Sequence, residues 1–225
     1  MSDILVIAAH PDDETLGAGG LLHKYRKQKI SVSCMTLTDG VGARKEPDIK
    51  GARHERESAF TQVAQKLSFQ NTYQESFPDN AMDSVPFLDI AKTVEKIVAK
   101  EQPKTILTNF EGDLNIDHRL TFQAVLTACR PGCFASVQEI ISFEVPSSTE
   151  CAIGIQSVPS FQPNYFVDIE HELEEKIETM KLYDAELRSY PHPRSPEALR
   201  ARAHYWGSCS GLLAAESFVL VRKLG

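Results

Sequence analysis

Short, nearly continuous apolar runs alternate along this chain with longer stretches whose apolar positions recur every three or four residues. The short runs read as buried strands near Ile4 to Ala9, Ile30 to Thr38, Ser68 to Tyr73, Thr105 to Thr108, Ile140 to Val145 and Tyr165 to Asp168, with a last one at Ser217 to Arg222. Between them, Thr15 to Lys29 carries Leu16, Leu21, Leu22 and Tyr25 at helical spacing, and a segment opening near Gly51 aligns Ala59, Phe60, Val63, Ala64 and Leu67 on one stripe. Pro86 to Lys100, Thr121 to Cys129, Ile169 to Leu187 and Pro196 to Tyr205 continue the helical pattern. Strands that alternate with helices predict right-handed βαβ crossovers and an α/β fold built on a mostly parallel sheet. The segments Gly40 to Lys50, Gln74 to Val85 and Pro146 to Pro163 are then the expected rims of a cleft.

Chemistry enters at the end of the first strand. Leu5, Val6 and Ile7 deliver His10, Asp12, Asp13 and Glu14 to the strand's carboxyl end, where open α/β sheets bind their ligands. Pro11 lacks the N–H that a ladder needs, so the chain leaves the sheet there. The following helix places the acids at its N-terminus, where the macrodipole favours negative charge. A cap needs one acidic residue, whereas a histidine followed by three acids is more than capping requires. Glu14 is adequately explained by the helix start and by an outer, supporting part.

Asp113-Leu114-Asn115-Ile116-Asp117-His118 follows the apolar run Thr105 to Thr108 and precedes another helix. Two parallel strands of one sheet end on the same rim, which brings His118 within reach of His10. Two histidines and one carboxylate form the three-ligand set of catalytic zinc sites, with a fourth position left for water. Fe2+ or Co2+ suits the same donors. Asp12 is then a spare base.

The pattern resembles the PIG-L or LmbE-like zinc N-deacetylases, marked by AHPDD after the first strand and by a later Asp-His pair. The likeness extends to Thr38-Asp39-Gly40, to Arg53 through Glu57, to His192-Pro193-Arg194-Ser195 and to Ala215-Glu216-Ser217-Phe218, in family order. It implies a Rossmann-like, three-layer α/β/α fold over a single domain, residues 1–225. It also implies that His10, Asp13 and His118 ligate zinc, and that an N-acetyl group is removed from an N-acetylglucosamine-type amino sugar, glycoconjugate or sugar nucleotide. Water activated by the metal would attack the acetamido carbonyl, with Asp12 as general base and then general acid, releasing acetate and an amine. Asp117 joins Asp12 as a catalytic candidate, since the family uses this position to orient a neighbouring histidine; here it would support His118 or Asn115.

One position departs from the resemblance. Many relatives carry histidine two residues before the Asp-His pair, where this chain has Asn115. An amide donates a hydrogen bond to an oxyanion but never carries positive charge. His192, held between Pro191 and Pro193, is the other candidate for that part. The family also places an arginine toward the substrate near the helix start; of Arg53 and Arg56, Arg53 is taken for it. Arg53, Asn115 and His192 form the expected substrate-binding set.

Composition narrows the alternatives. Lys plus Arg total 24 against 31 Asp plus Glu, a net charge of −7 that disfavours nucleic acid and anionic membranes. No apolar run reaches the ~20 residues of a membrane span, and the amino terminus lacks a signal-peptide pattern, so a cytoplasmic protein is expected. The oligomeric state stays open, a homo-oligomer being one option. Five scattered cysteines, Cys34, Cys129, Cys133, Cys151 and Cys209, argue for free thiols over a disulfide framework. Two rival readings are a metal phosphoesterase and a Rossmann-type nucleotide binder. The latter suits poorly a turn of His-Pro-Asp-Asp-Glu, whose acids repel a pyrophosphate.

Overall fold

The first apolar run forms β1 (Ile4–Ala8), buried at every position, as a strand covered on both faces must be. In the computed structural model, which describes residues 1–43 and 48–225, β1 pairs in parallel with β2 (Val32–Thr38) on one side and β4 (Thr105–Asn109) on the other. β3 (Thr72–Phe77) and β5 (Glu139–Phe143) extend the parallel part outward. The seven strands run β3-β2-β1-β4-β5-β7-β6. β7 (Ala215–Lys223) lies antiparallel to both β5 and β6 (Tyr165–Asp168). The expected α/β fold with a mostly parallel sheet is therefore present.

Alternation along β1 sorts the core. Ile4, Val6 and Ala8 pack on the side of α1 (Asp13–Lys27), α2 (Ile49–Leu67), α5 (Leu173–Met180) and α6 (Pro196–Ser210). Leu5 and Ile7 face α3 (Phe87–Glu101) and α4 (Ile116–Ala128). Three layers result. Chain order proceeds from β1 outward to β2 and β3, then returns to β4 on the opposite side, so the switch point lies between the carboxyl ends of β1 and β4. No helix among the described residues is long and apolar enough to cross a membrane. All five cysteines are free thiols, Cys34 and Cys129 buried.

Two elements depart from the sequence pattern. The strand expected from Ser68 starts instead at Thr72, because α2 runs to Leu67 and Ser68 takes a left-handed φ of 58° that closes the helix, with Phe69 N–H donating to Ala64 O at 2.9 Å. The helix expected over Ile169 to Leu187 is α5 alone, followed by a tight turn at Asp184–Glu186. That turn carries Tyr183 and Glu186 into the interior, where both meet polar partners of the site.

α1 is kinked at Ala18, whose φ of −137° leaves the helical region. The freed groups are paired. Glu216, on β7, accepts from Gly20 N–H and Leu21 N–H, each at 2.8 Å. Lys176 donates to Leu16 O at 2.8 Å and to Glu216 at 2.7 Å. The kink needs Gly17, since a Cβ there would strike the Phe143 ring. Glu216→Ala would leave two buried amides without a partner and the buried Lys176 charge with only the Leu16 carbonyl to answer it, and is expected to lower unfolding free energy by about 3–5 kcal/mol. Glu216→Gln, which keeps an acceptor, should lose less. Urea denaturation of the two variants measures this, and equal losses would show that charge, not acceptance, is what Glu216 supplies.

Candidate metal centre and active site

The switch point gathers the two motifs. His10 follows β1 and Asp13 opens α1, while His118 lies in the first turn of α4. His10 Nδ1 stands 3.1 Å from His118 Nε2, and Asp13 Oδ2 stands 3.3 Å from each of those nitrogens. All three residues are buried. Tetrahedral bonds of about 2.0–2.1 Å set neighbouring ligand atoms roughly 3.3 Å apart, so the three atoms already have the spacing of one face of such a site. Asp13 Oδ1, moreover, is buried with no hydrogen-bond partner. The donors fit a divalent cation of the zinc type.

Outer carboxylates orient both imidazoles, as ligating histidines require. His10 Nε2 lies 3.2 Å from Asp117 and 3.1 Å from Asp79. Asp117 is itself held by the backbone N–H groups of Asn80, at 2.6 Å, and Met82, at 3.1 Å. His118 Nδ1 sits 3.1 Å from Asp113, at ion-pair distance though off the line of a hydrogen bond. Asp113 is gripped by the hydroxyls of Ser148 and Thr149. Burial opposes charge on every member. Even so, Asp117 and Asp13 raise His10 well above the ordinary imidazole range, Asp13 and Asp113 raise His118, and the two histidines hold Asp13 well below the usual carboxylate range.

Asp12 lines one pocket with His10 and His118 and turns its carboxylate to two arginines. Its backbone adopts φ 115°, a left-handed value rare outside glycine. Its N–H donates to Glu14 Oε2 at 3.0 Å. Its carboxylate meets Arg194 at 2.9 Å and Arg56 at 3.4 Å. Burial raises the Asp12 carboxyl, and the two arginines restrain that rise. Glu186 binds both guanidinium groups at 2.8 Å. Glu14, fully buried, is pushed up to about 7 by burial and accepts from Thr15 and Tyr183 hydroxyls.

Above these groups opens a pocket of about 200 Å³ lined in part by His10, Asp12, His118 and Asn115. Ala43, Asp79, Asn80, Ser147 and Ser148 bring all three expected rims to it; residues 44–47 of the first rim lie outside the described residues. Arg53 does not line it, and pairs instead with Asp39 at 2.7 Å on the half-exposed side of α2. Arg56, one helical turn on, faces inward. His192 is exposed and accepts from Arg194 N–H at 3.1 Å, while the Arg194 side chain enters the pocket. Asp117 supports His10, not His118 or Asn115. Asp79, Asp113, Glu186 and Arg194 were not singled out from the sequence. Asp113 and Arg194 carried a signal, the one by its place at the strand end before the Asp-His pair, the other by its place in His192-Pro193-Arg194-Ser195.

The family described as "PIG-L: GlcNAc-PI de-N-acetylase" matches residues 5–129. A diacetylchitobiose deacetylase of Thermococcus kodakarensis is 28% identical over 233 residues, spanning 97% of this chain and 82% of its own. Among solved structures, the conserved protein TT1542 of Thermus thermophilus shares the fold at a TM-score of 0.78 and 23% identity, over 100% of this chain and 97% of that one. The 4-carboxy-2-hydroxymuconate hydratase GalB of Pseudomonas putida shares it at 0.76 and 17% identity, over 100% and 98%. With its family match running from β1 to the end of α4, across more than half of its length and through both halves of the metal trio, the chain belongs to the PIG-L family.

Proposed function

We propose that this chain, read as one domain over residues 1–225, is a zinc-dependent hydrolase that removes an N-acetyl group from an N-acetylglucosamine-type amino sugar, glycoconjugate or sugar nucleotide. The observation that carries the reading is a triangle of ligand atoms 3.1–3.3 Å apart beside a carboxylate, Asp12, that none of them uses. The family name and a relative named for diacetylchitobiose support an acetamido sugar as substrate. Zinc held by His10, Asp13 and His118 would polarise the acyl carbonyl and acidify water toward neutrality; Fe2+ or Co2+ would meet the same donors.

The chain's own residues divide the remaining work. Asp12 accepts a proton from the attacking water and returns it to the departing amine, a step that favours a carboxyl raised toward neutrality, as burial raises this one. Arg194 and Arg56 fix its direction. Asn115 caps α4 by accepting Asp117 N–H on Oδ1 at 2.8 Å, which leaves its NH2 as the donor for the developing oxyanion. Asp117 accepts from His10 Nε2, which leaves Nδ1 for the metal, and Asp113 stands at ion-pair distance behind His118 Nδ1. His10 Nε2 is engaged by Asp117 and Asp79, which holds the ring with Nδ1 toward Asp13 and His118.

Asp12→Asn is expected to retain metal and lose turnover by about 10²–10⁴-fold, whereas His118→Ala should lose the metal. Elemental analysis alongside acetate release from N-acetylglucosamine derivatives checks both, and equal metal loss in the two variants would overturn the division of roles. Asp117→Asn and Asp113→Asn should each weaken metal affinity by roughly 10–100-fold with the fold intact, as read by chelator competition; unchanged affinity would remove their supporting role. Phosphate release in place of acetate would transfer the site to the phosphoesterase reading.

A further inference from the structure

The strap 146–150 separates two concavities. Ser147 and Ser148 line the catalytic pocket, whereas Thr149 and Glu150 line a second cavity of about 340 Å³, walled by Phe161, Arg202, Tyr205 and Trp206. That volume lies within the ~300–1,000 Å³ typical of small-molecule sites. Tyr205 and Trp206 have ring centroids 4.8 Å apart, and the Phe161 ring stands 6.1 Å from Trp206. Folding leaves apolar surface in water here, with Tyr205 59% exposed and Ile153, at the mouth, 85% exposed.

Polar groups converge on the same cavity. Arg202 bridges Glu144 at 2.5 Å and Glu150 at 2.9 Å, and the Trp206 indole N–H donates to Glu144 at 2.6 Å. Glu150 Oε1 is further engaged by Ser147 N–H at 2.8 Å. Glu150 Oε2, by contrast, has no partner among the described residues and no surface open to the cavity, an acceptor that desolvation makes costly and that a turn of the partly exposed Glu150 side chain would bring to a donor in the cavity. Aromatic walls with an unspent acceptor and a guanidinium suit a ligand with both an apolar face and hydroxyl groups. A pyranose has both, since its C–H face rests on the electron-rich face of a ring and its hydroxyls donate and accept. Two carboxylates against one arginine disfavour a phosphate. A protein partner would need a broad surface, on the order of 800 Å² per side, not a concavity of this size.

We propose that this cavity is a second saccharide-binding site, which seats one pyranose ring against Tyr205 and Trp206 with a hydroxyl on Glu150. The choice of a sugar rests on the reading of the metal centre as an amino-sugar deacetylase. A ring in this cavity packs on the strap whose Ser148 and Thr149 hold Asp113 behind His118.

Trp206 is the sole tryptophan of the chain, so intrinsic fluorescence reports on this cavity. The full chain carrying His10→Ala, which cannot turn substrate over, would be titrated with N-acetylglucosamine oligomers of one to four units. A saturable change in emission is expected, with affinity lowered roughly two- to tenfold by Tyr205→Ala, the worth of one aromatic contact, and lowered also by Glu150→Gln. Circular dichroism of each variant confirms the fold. Acetate release by the unaltered chain, measured on the same sugars, separates the two claims. Release without any Trp206 response, or a response that both variants leave intact, overturns the second site and leaves the catalytic reading standing. A Trp206 response lost in the variants, with no acetate released from any sugar, upholds the site and overturns the catalytic reading.

Discussion

A carboxylate buried between two imidazoles sets the terms for everything around it. Asp13 has left water almost completely, which by itself would neutralise it, yet His10 and His118 keep it charged. Those imidazoles are buried too, and are stabilised in turn by Asp117, Asp79 and Asp113. Counting outward, each ring of charge answers the one inside it, and the carboxylates outnumber the histidines. Cations at the centre, either protons on both imidazoles or one divalent ion in their place, offset half of the charge of these four carboxylates. Ion binding must therefore release protons, and affinity must fall as acid competes for the same nitrogens. The fold supplies the location, because α1 and α4 both begin at this edge and direct their N-termini at the acids.

The second constraint is steric. Asp12 and Asp13 are adjacent, so two carboxylates can serve different atoms only if the backbone turns sharply between them. The φ of 115° at Asp12 is that turn, at a cost on the order of 1–3 kcal/mol for a residue with a side chain. It persists because its surroundings over-determine it. Its N–H is held by Glu14, its C=O accepts from Thr15 and Leu16 N–H, and its carboxylate is pinned by Arg194 and Arg56. Glu186 prevents those arginines from folding down over the metal trio by binding both. A carboxylate turned to two arginines at the pocket and a carboxylate set between two imidazoles thus come from consecutive residues.

What periodicity could reveal was local. Central strands buried on both faces are continuous apolar runs, so β1, β2 and β4 were legible, as were the His and Asp residues at their ends, because a strand end has a known destination in an α/β sheet. That placement brought His10, His118 and the acids after β1 to one rim, and the family resemblance picked Asp13 from among them. Facing was harder. Arg53 and Arg56 share one helix start, and only packing tells that Arg56 turns inward while Arg53 pairs with Asp39. Between His192 and Arg194 the same holds, since a turn reverses which side chain enters the pocket. Glu186 was illegible for a different reason. Leu182 and Leu187 continue the helical stripe of α5, but the buried ion pairs of Glu186 and the Tyr183–Glu14 hydrogen bond are long-range and outweigh local propensity.

Asn115 shows how a departure from the family pattern is absorbed. The residue opens α4, and its side-chain oxygen satisfies the N–H of Asp117, a duty that asparagine performs among the best of all residues. Capping also fixes which end of the amide faces outward. With Oδ1 committed to the helix, the NH2 group is the only donor left to the pocket. A histidine here would bring positive charge but would cap poorly, and Asp117 would lose one of the restraints that keep it against His10. Asparagine at this position thus gives up the charge a histidine could carry and gains a fixed orientation at the helix start. Arg56 and Arg194 line the same pocket but are matched there by Asp12 and Glu186, so residue 115 adds to it a neutral donor held in one orientation.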